Sequence, residues 1–186
     1  MPFETTDIPG VLVFEPTVFE DSRGYFFESY NEKSFKESGI DLRFVQDNQS
    51  SSMYGVIRGL HYQLPPYAQA KLVRVLQGKI LDVAVDIRKG SPYYGRSFCI
   101  ELSTENKKQL FIPIGFAHGF SVLSEKAEVF YKCDALYNKE SDAGICFNDP
   151  SLKIDWKIPA NKIIVSDKDK MLPALAECKN AFVFKK

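Results

Sequence analysis

The most constraining feature of the chain is the run from Lys71 to Arg88, KLVRVLQGKILDVAVDIR, in which apolar and polar residues alternate on either side of Gln77-Gly78. A period of two puts successive side chains on opposite faces of an extended backbone, so a chain patterned this way folds as sheet. The tight glycine-containing break predicts two antiparallel strands joined as a hairpin. Shorter runs of the same kind at 11–14, 24–29, 55–63, 96–102, 110–113, 117–123 and 128–136 are separated by Gly, Pro, Ser or Asn clusters. Their spacing predicts an all-β sandwich or barrel with a few short helices. Asn31 is placed to cap one helix that stops at Gly39, and Ser103-Thr104-Glu105-Asn106 reads as one turn.

No repeat, low-complexity stretch or linker interrupts the 186 residues, which are read as a single domain, 1–186, with a short C-terminal tail after Asp169. That tail, ending AFVFKK, is expected to pack on the body or on a second subunit. Lys+Arg 24 against Asp+Glu 24 leaves no net charge, which argues against a nucleic-acid partner held by bulk electrostatics. The start Met1-Pro2-Phe3-Glu4 has no basic region followed by an apolar one, and no stretch suits a membrane span, so no membrane partner and a cytoplasmic location are expected. The four cysteines show neither Cys-x-x-Cys nor zinc spacing, and Cys99 and Cys133, inside strand-like runs, read as buried thiols.

No glycine-rich phosphate loop and no nucleophile elbow is present, so any phosphate must be held by side chains. The two histidines, His61 and His118, lie in glycine-containing strand segments, RGLHYQ and FAHGF. A lone strand histidine is more often a satisfied core residue than a catalyst, but two beside glycine point toward a site. Arg58 and His61 fall on opposite faces of a regular strand, so a shared site requires a bulge, which Gly59 would permit. Lys71 shares a face with Val73 and Val75, and an ammonium there needs a partner or a purpose. Tyr131 shares one with Val129 and Cys133. Ile80, Asp82, Ala84, Asp86 and Arg88 share a face that is either plain solvent face or the polar lining of a barrel mouth, opposite the core face of Leu81, Val83, Val85 and Ile87.

From Phe14-Glu15-Pro16 to Lys168-Asp169 these residues resemble the dTDP-4-dehydrorhamnose 3,5-epimerase family. The most specific blocks are DSRGYFFE from Asp21, FVQDN from Phe44, RGLH from Arg58, KLVRV from Lys71, DVAVD from Asp82, GFAHGF from Gly115, YKC from Tyr131 and SDKD from Ser166. The resemblance implies a jelly-roll β-barrel of the cupin type, a homodimer, a dTDP-sugar substrate, and no metal or other cofactor. It implies His61 as general base, Asp169 as its orienting carboxylate, Lys71 as stabiliser of an enolate oxygen and Tyr131 as general acid. Arg23, Glu28, Gln46, Asn48, Arg58, His118 and Lys168 match nucleotide-sugar contacts, with Arg23 and Glu28 reaching the partner subunit's site. Asp142 stands where many relatives carry Glu.

The residue types suit that chemistry. A C4 ketone acidifies the hydrogens on its two neighbouring carbons, and an imidazole, with a reference pKa of about 6.5, offers a basic form at neutral pH. An ammonium in a dry pocket lowers the energy of the enolate, and a phenol on the other face can return a proton to carbon. Arg23 and Arg58 can chelate a diphosphate through paired hydrogen bonds. Three alternatives stay open: epimerisation at one carbon only, a metal-dependent cupin enzyme using His61, His118 and one carboxylate, and a non-catalytic sugar-nucleotide-binding barrel.

Overall fold

A computed structural model describes residues 3–184; Met1, Pro2 and the last two residues of the expected tail, Lys185 and Lys186, lie outside it. In chain order the strands are β1 (Phe3–Thr5), β2 (Leu12–Phe14), β3 (Phe19–Asp21), β4 (Gly24–Phe26), β5 (Gln46–Met53), β6 (Ile57–Gln63), β7 (Lys71–Gln77), β8 (Lys79–Asp86), β9 (Ser97–Ser103), β10 (Gln109–Ile112), β11 (Phe116–Val122), β12 (Lys126–Cys133) and β13 (Asp142–Gly144). Two short helices are α1 (Glu32–Glu37), capped as expected by the Asn31 side chain on the Lys33 and Ser34 N–H groups, and α2 (Asp167–Lys170), capped by Ser166.

The strands form a six-stranded sheet in the order β1-β2-β10-β7-β12-β5, a five-stranded sheet in the order β13-β6-β11-β8-β9, and a separate β3-β4 hairpin. This is the all-β sandwich that the period of two implied, in the jelly-roll form that the family resemblance implied. The hairpin expected across Gly78 does not form: β7 pairs with β10 and β12, while β8 pairs with β9 and β11. Gly78 instead turns the chain from one sheet into the other, at φ +76 and so close to the neighbouring strand that a Cβ would lie 2.1 Å from the Lys126 carbonyl oxygen. Val73 and Val75 then face Ile80 and Ala84 across the space between the sheets, in one apolar cluster with Leu110, Phe120 and Val129.

Both sheets are also covered on their outer faces. Leu60, Val83, Val85 and Ala117 pack outward against Ile145, Trp156, Leu175 and Phe182 of the C-terminal segment, so the tail packs on the body of its own chain. Leu72 and Phe111 pack against Phe14, Phe35 and Ile40. The Ile80 face of β8 is therefore interior, which rules out the solvent-face reading, and every residue of β8 after Lys79 is buried. Each fully buried aliphatic side chain contributes about 1.5–3 kcal/mol, whereas an exposed pair such as Lys33–Glu37 at 3.9 Å contributes about 0–1, so the sheet faces hold the fold. Cys133 is buried as expected; Cys99 is exposed, because β9 is an edge strand and its position faces outward.

The bulge expected at Gly59 is present. His61 opposes His118 and Arg58 opposes Phe120, so Gly59 and Leu60 stand against the single residue Gly119. The extra residue keeps Leu60 in the outer core while turning both Arg58 and His61 inward. Gly59 has φ +131, and a Cβ there would lie 2.5 Å from the Gly119 Cα, with backbone on both sides of the contact. Gly59→Ala is expected to lose about 1–3 kcal/mol of stability by overpacking in urea unfolding, beyond the left-handed strain that Gly90→Ala, with open space around it, isolates. Equal midpoints for the two variants would show that the close approach carries no cost.

Candidate active site

At one end of the space between the sheets the apolar filling gives way to a cavity of about 590 Å³, lined by His61, Lys71, Tyr131 and Asp169 and also by Arg58, His118, Asp142 and Lys168. His61 and Arg58 come from β6 and His118 from β11, in the five-stranded sheet. Lys71 comes from β7 and Tyr131 from β12, in the six-stranded sheet. The imidazole of His61 and the phenol of Tyr131 thus enter the cavity from facing sheets.

His61 is held from behind. Its Nε2 lies 3.2 Å from Asp169 Oδ1, and Asp169 Oδ2 accepts the Gly59 N–H at 3.3 Å. Asp169 is fixed in turn by its place in α2, where its own N–H donates to the capping Ser166 hydroxyl at 3.1 Å. Burial works to raise the Asp169 carboxyl, but the hydrogen bond and charge of His61 and the Gly59 N–H hold it below the usual carboxylate range. The bond through Nε2 leaves Nδ1 of His61 as the nitrogen free to take a proton.

Lys71 is 9% exposed, with its Nζ 5.9 Å from the centre of the Tyr131 ring. Burial pulls its pKa down, against the opposing charges of Cys133, Asp82 and Asp142. Burial likewise pushes the Tyr131 phenol up, so it keeps its proton until a strong acceptor forms beside it. Arg58 donates through Nε to the Ser52 hydroxyl at 3.0 Å, and Lys168 pairs with Asp142 at 2.5 Å across the rim.

Four expected residues lie outside the cavity lining. Gln46 and Asn48 sit on β5 on the face of Ser50, which does line it; Gln46 donates to Asn48 at 3.0 Å, and Asn48 donates to the Cys133 sulfur at 3.7 Å. Arg23 projects from the tip of the β3-β4 hairpin with its side chain 87% exposed, paired with Asp21, and Glu28 accepts from Asn31 at 3.0 Å. Nothing in this chain brings those two to the cavity it encloses, among the described residues.

The structure adds two residues that sequence reasoning passed over, Gln63 and Tyr137, and gives a partner to a third, Asp82, which the sequence placed only on a face of undecided use. Gln63 and Gln46 both anchor the 136–138 loop, Gln63 Oε1 accepting the Asn138 N–H at 2.7 Å and Gln46 Oε1 the Tyr137 N–H at 2.8 Å. Tyr137 then stands at the cavity mouth, its hydroxyl 3.2 Å from Asp142. Asp82 is fully buried and holds His118 Nε2 at 2.8 Å. A charged residue in a strand buried on both faces was the available signal for Asp82. No local signal marks the other two. Among the described residues no three His, Cys, Asp or Glu side chains group as metal ligands, and no helix is long and apolar enough to cross a membrane.

Burial lowers the pKa of His118, and Lys71 and His61 add to this while Asp82 opposes it. A histidine depressed in the folded state contributes stability that is complete above its unfolded value of about 6.5 and lost as pH falls toward the folded value. Between pH 7.5 and 5.5 the wild-type chain is therefore expected to lose more unfolding free energy than His118→Gln. Parallel losses in urea titrations of the two proteins would assign the acid sensitivity elsewhere.

A sequence profile of the dTDP-4-dehydrorhamnose 3,5-epimerases matches residues 5–177. A dTDP-4-dehydrorhamnose 3,5-epimerase from Shigella flexneri is 56% identical over 88% of this chain and 90% of its own. The crystal structure of a dTDP-6-deoxy-D-glucose-3,5-epimerase from Legionella pneumophila, in complex with dTDP-4-keto-L-rhamnose, is 47% identical and superposes with a TM-score of 0.91 over 94% of this chain and 93% of that one. A 3'-monoepimerase from Streptomyces bikiniensis, in complex with dTDP, is 31% identical, with a TM-score of 0.87 over 92% of this chain and 86% of that one. With the profile spanning nearly all of the two sheets and the His61, Lys71, Tyr131 and Asp169 cavity, this chain belongs to the dTDP-4-dehydrorhamnose 3,5-epimerase family.

Proposed function

We propose that this chain epimerises dTDP-4-dehydro-6-deoxy-D-glucose at C3 and C5 to dTDP-4-dehydro-L-rhamnose, with no cofactor. The observation that carries this reading is the placement of an imidazole backed by a carboxylate on one sheet and a phenol on the facing sheet, with an ammonium between the sheets. Inversion at carbon needs a base on one face of the sugar and an acid on the other, and a two-sheet cavity supplies both without motion of the backbone.

In each half-reaction His61 Nδ1 takes the proton from a carbon beside the C4 ketone, and the electron pair moves to the C4 oxygen. Asp169 stabilises the imidazolium, and Lys71 stabilises the enolate in a cavity of low dielectric. Tyr131 then donates its proton to the same carbon from the opposite face, the enolate electrons forming the new C–H bond. His61 returns its proton to water and Tyr131 recovers one, which resets the pair for the second carbon. Arg58, His118, Gln46, Asn48, Asp142 and Lys168 hold the nucleotide sugar, the cations on its diphosphate. The Asp142 carboxylate, one methylene shorter than Glu, keeps the acceptor at the rim.

Epimerisation at one carbon is the second reading, favoured by the likeness to a 3'-monoepimerase, but identity to the 3,5-epimerases is 56% and 47% against 31%. Incubation with dTDP-4-dehydro-6-deoxyglucose in deuterated water separates the two: label at C3 and C5 is expected, and label at one carbon would establish the second reading. In the same NMR assay His61→Asn is expected to abolish both exchange and product. Tyr131→Phe is expected to let deuterium wash into unchanged substrate while product formation falls by about 10² to 10⁴, the usual worth of a general acid. Near-normal product from Tyr131→Phe would remove it from the acid role.

The working unit in this proposal is a cytoplasmic homodimer. The unpaired thiols suit a reducing compartment. Phe19 at 63%, Tyr25 at 58% and Phe26 at 70% exposure make the β3-β4 hairpin an apolar arm, and Arg23 and Glu28 travel with it away from their own cavity. If the arm completes the partner's site, Arg23→Ala and His61→Asn protomers, each inactive alone, regain about a quarter of wild-type activity when mixed and allowed to exchange, since half of the dimers then carry one intact site. Monomers by light scattering, or no regain on mixing, would defeat the trans arrangement.

A further inference from the structure

His61 and His118 are direct cross-strand partners, and each imidazole is gripped through Nε2 by its own carboxylate, Asp169 at 3.2 Å and Asp82 at 2.8 Å. The first carboxylate orients the base; the second has no part in the chemistry above. Asp82 is 0% exposed, sits on the interior face of β8 between Ile80 and Ala84, and leaves its Oδ2 without a hydrogen-bond partner among the described residues. A carboxylate oxygen buried and unsatisfied costs stability, and an aliphatic residue would fill this strand position at lower free energy. A strand that keeps a charge there at such a cost keeps it for the site beside it.

The charges around Lys71 say what that use is. Lys71 Nζ lies 5.9 Å from the centre of the Tyr131 ring on β12, that ring lies 6.4 Å from the His118 ring on β11, and His118 holds Asp82 on β8. The charges of Cys133 on β12, Asp82 and Asp142 on β13 act on the ammonium, and His61 on β6 is the cross-strand partner of His118. The Cys133 thiol is pushed up to about 11 by burial, so it is uncharged near neutral pH, and Asp142 is already matched by Lys168 at 2.5 Å. Asp82 is the anion left to balance a buried ammonium.

We propose that Asp82 is a positioning residue of the epimerisation, its bond to Nε2 turning His118 Nδ1 toward the sugar and its buried charge keeping Lys71 cationic under the C4 oxygen. This role rests on the epimerase reading and extends it to a residue that does not itself line the cavity. It acts only through His118 and Lys71. Neutral His118, donating from Nε2 to Asp82, offers Nδ1 as an acceptor for a sugar hydroxyl, and the other tautomer would offer a donor instead.

Asp82→Asn keeps the shape and an acceptor for Nε2–H but removes the charge; Asp82→Leu removes both. For Asp82→Asn, kcat is expected to fall about 10- to 100-fold, as when a carboxylate behind a functional imidazole is lost, with dTDP affinity by calorimetry unchanged. The alkaline limb of its kcat–pH profile moves to lower pH, because Lys71 without its anion loses its proton sooner, and the melting temperature stays level or rises. For Asp82→Leu, long-range 1H–15N spectra are expected to show His118 leaving the Nε2–H tautomer of the wild type. Wild-type kcat with an unmoved alkaline limb in Asp82→Asn overturns the charge role. A His118 tautomer that is Nδ1–H in the wild type, or unchanged in Asp82→Leu, overturns the positioning role. A wild-type protein that exchanges deuterium at neither sugar carbon defeats the epimerase reading instead, and the tautomer spectra still decide the grip of Asp82 on His118.

Discussion

The close approach of Gly59 to Gly119 is the contact on which the rest of the site depends. Two adjacent strands of the five-stranded sheet touch backbone to backbone there, with no room for a side-chain carbon on either strand. The bulge that results puts one extra residue in β6, and that residue shifts the phase of the alternation between Arg58 and His61. Without the shift one of the two would point into the outer core against Ile145 and Trp156, where an ionisable group has no partner. The same bulge presents the Gly59 N–H to Asp169, so the distortion that aims the imidazole also fixes the carboxylate that orients it.

The second organising feature is the exchange of apolar for polar packing along one interior. Over most of its length the space between the sheets is closed by aliphatic and aromatic side chains, and at the cavity end by Lys71, His118, Tyr131 and Asp82. Buried polar groups of this kind weaken a fold unless each is satisfied, and in this cluster one oxygen of Asp82, Oδ2, has no partner among the described residues. The outer cores compensate, since both sheets are sealed on their far sides, one by the C-terminal segment and the other by α1 and its flanking chain. Tyr62, neighbour to His61 on β6, donates its hydroxyl to the Lys179 carbonyl, so the tail braces from behind the strand that carries His61. A rigid sandwich closed on three levels can hold a cavity of charged groups that a thinner one could not.

Much of this was legible in the residues. The period of two named the fold class, Asn31 announced α1, and a lysine on an apolar stripe at Lys71 marked a site before any contact was known. The clash of phase between Arg58 and His61, with glycine between them, located the bulge. Other features were not legible. Strand β5, QDNQSSSM, carries no apolar alternation because one of its faces meets the cavity rim and the other meets solvent, so nothing in its text reads as strand. Cys99 read as interior because its neighbours are apolar, and the edge position that exposes it is a property of the sheet.

Alternation is a local consequence of extended backbone, so the sequence by itself determined which side chains share a face, and with it the pairing of Lys71 with Val73 and of Tyr131 with Cys133. It also determined the chemical types available to the site. Only the tertiary structure decided which strands are neighbours. A glycine turn between two alternating strands serves a hairpin and a crossing between sheets equally well, and long-range pairing of β7 with β10 and β12, and of β8 with β9 and β11, selected the crossing. That choice set Asp82 beside His118 and placed His61 and Tyr131 on facing sheets, and it left Arg23 and Glu28 on an arm outside the cavity. Hydrogen bonds between strands far apart in sequence are won by the whole arrangement at once, and no local stretch of chain records them.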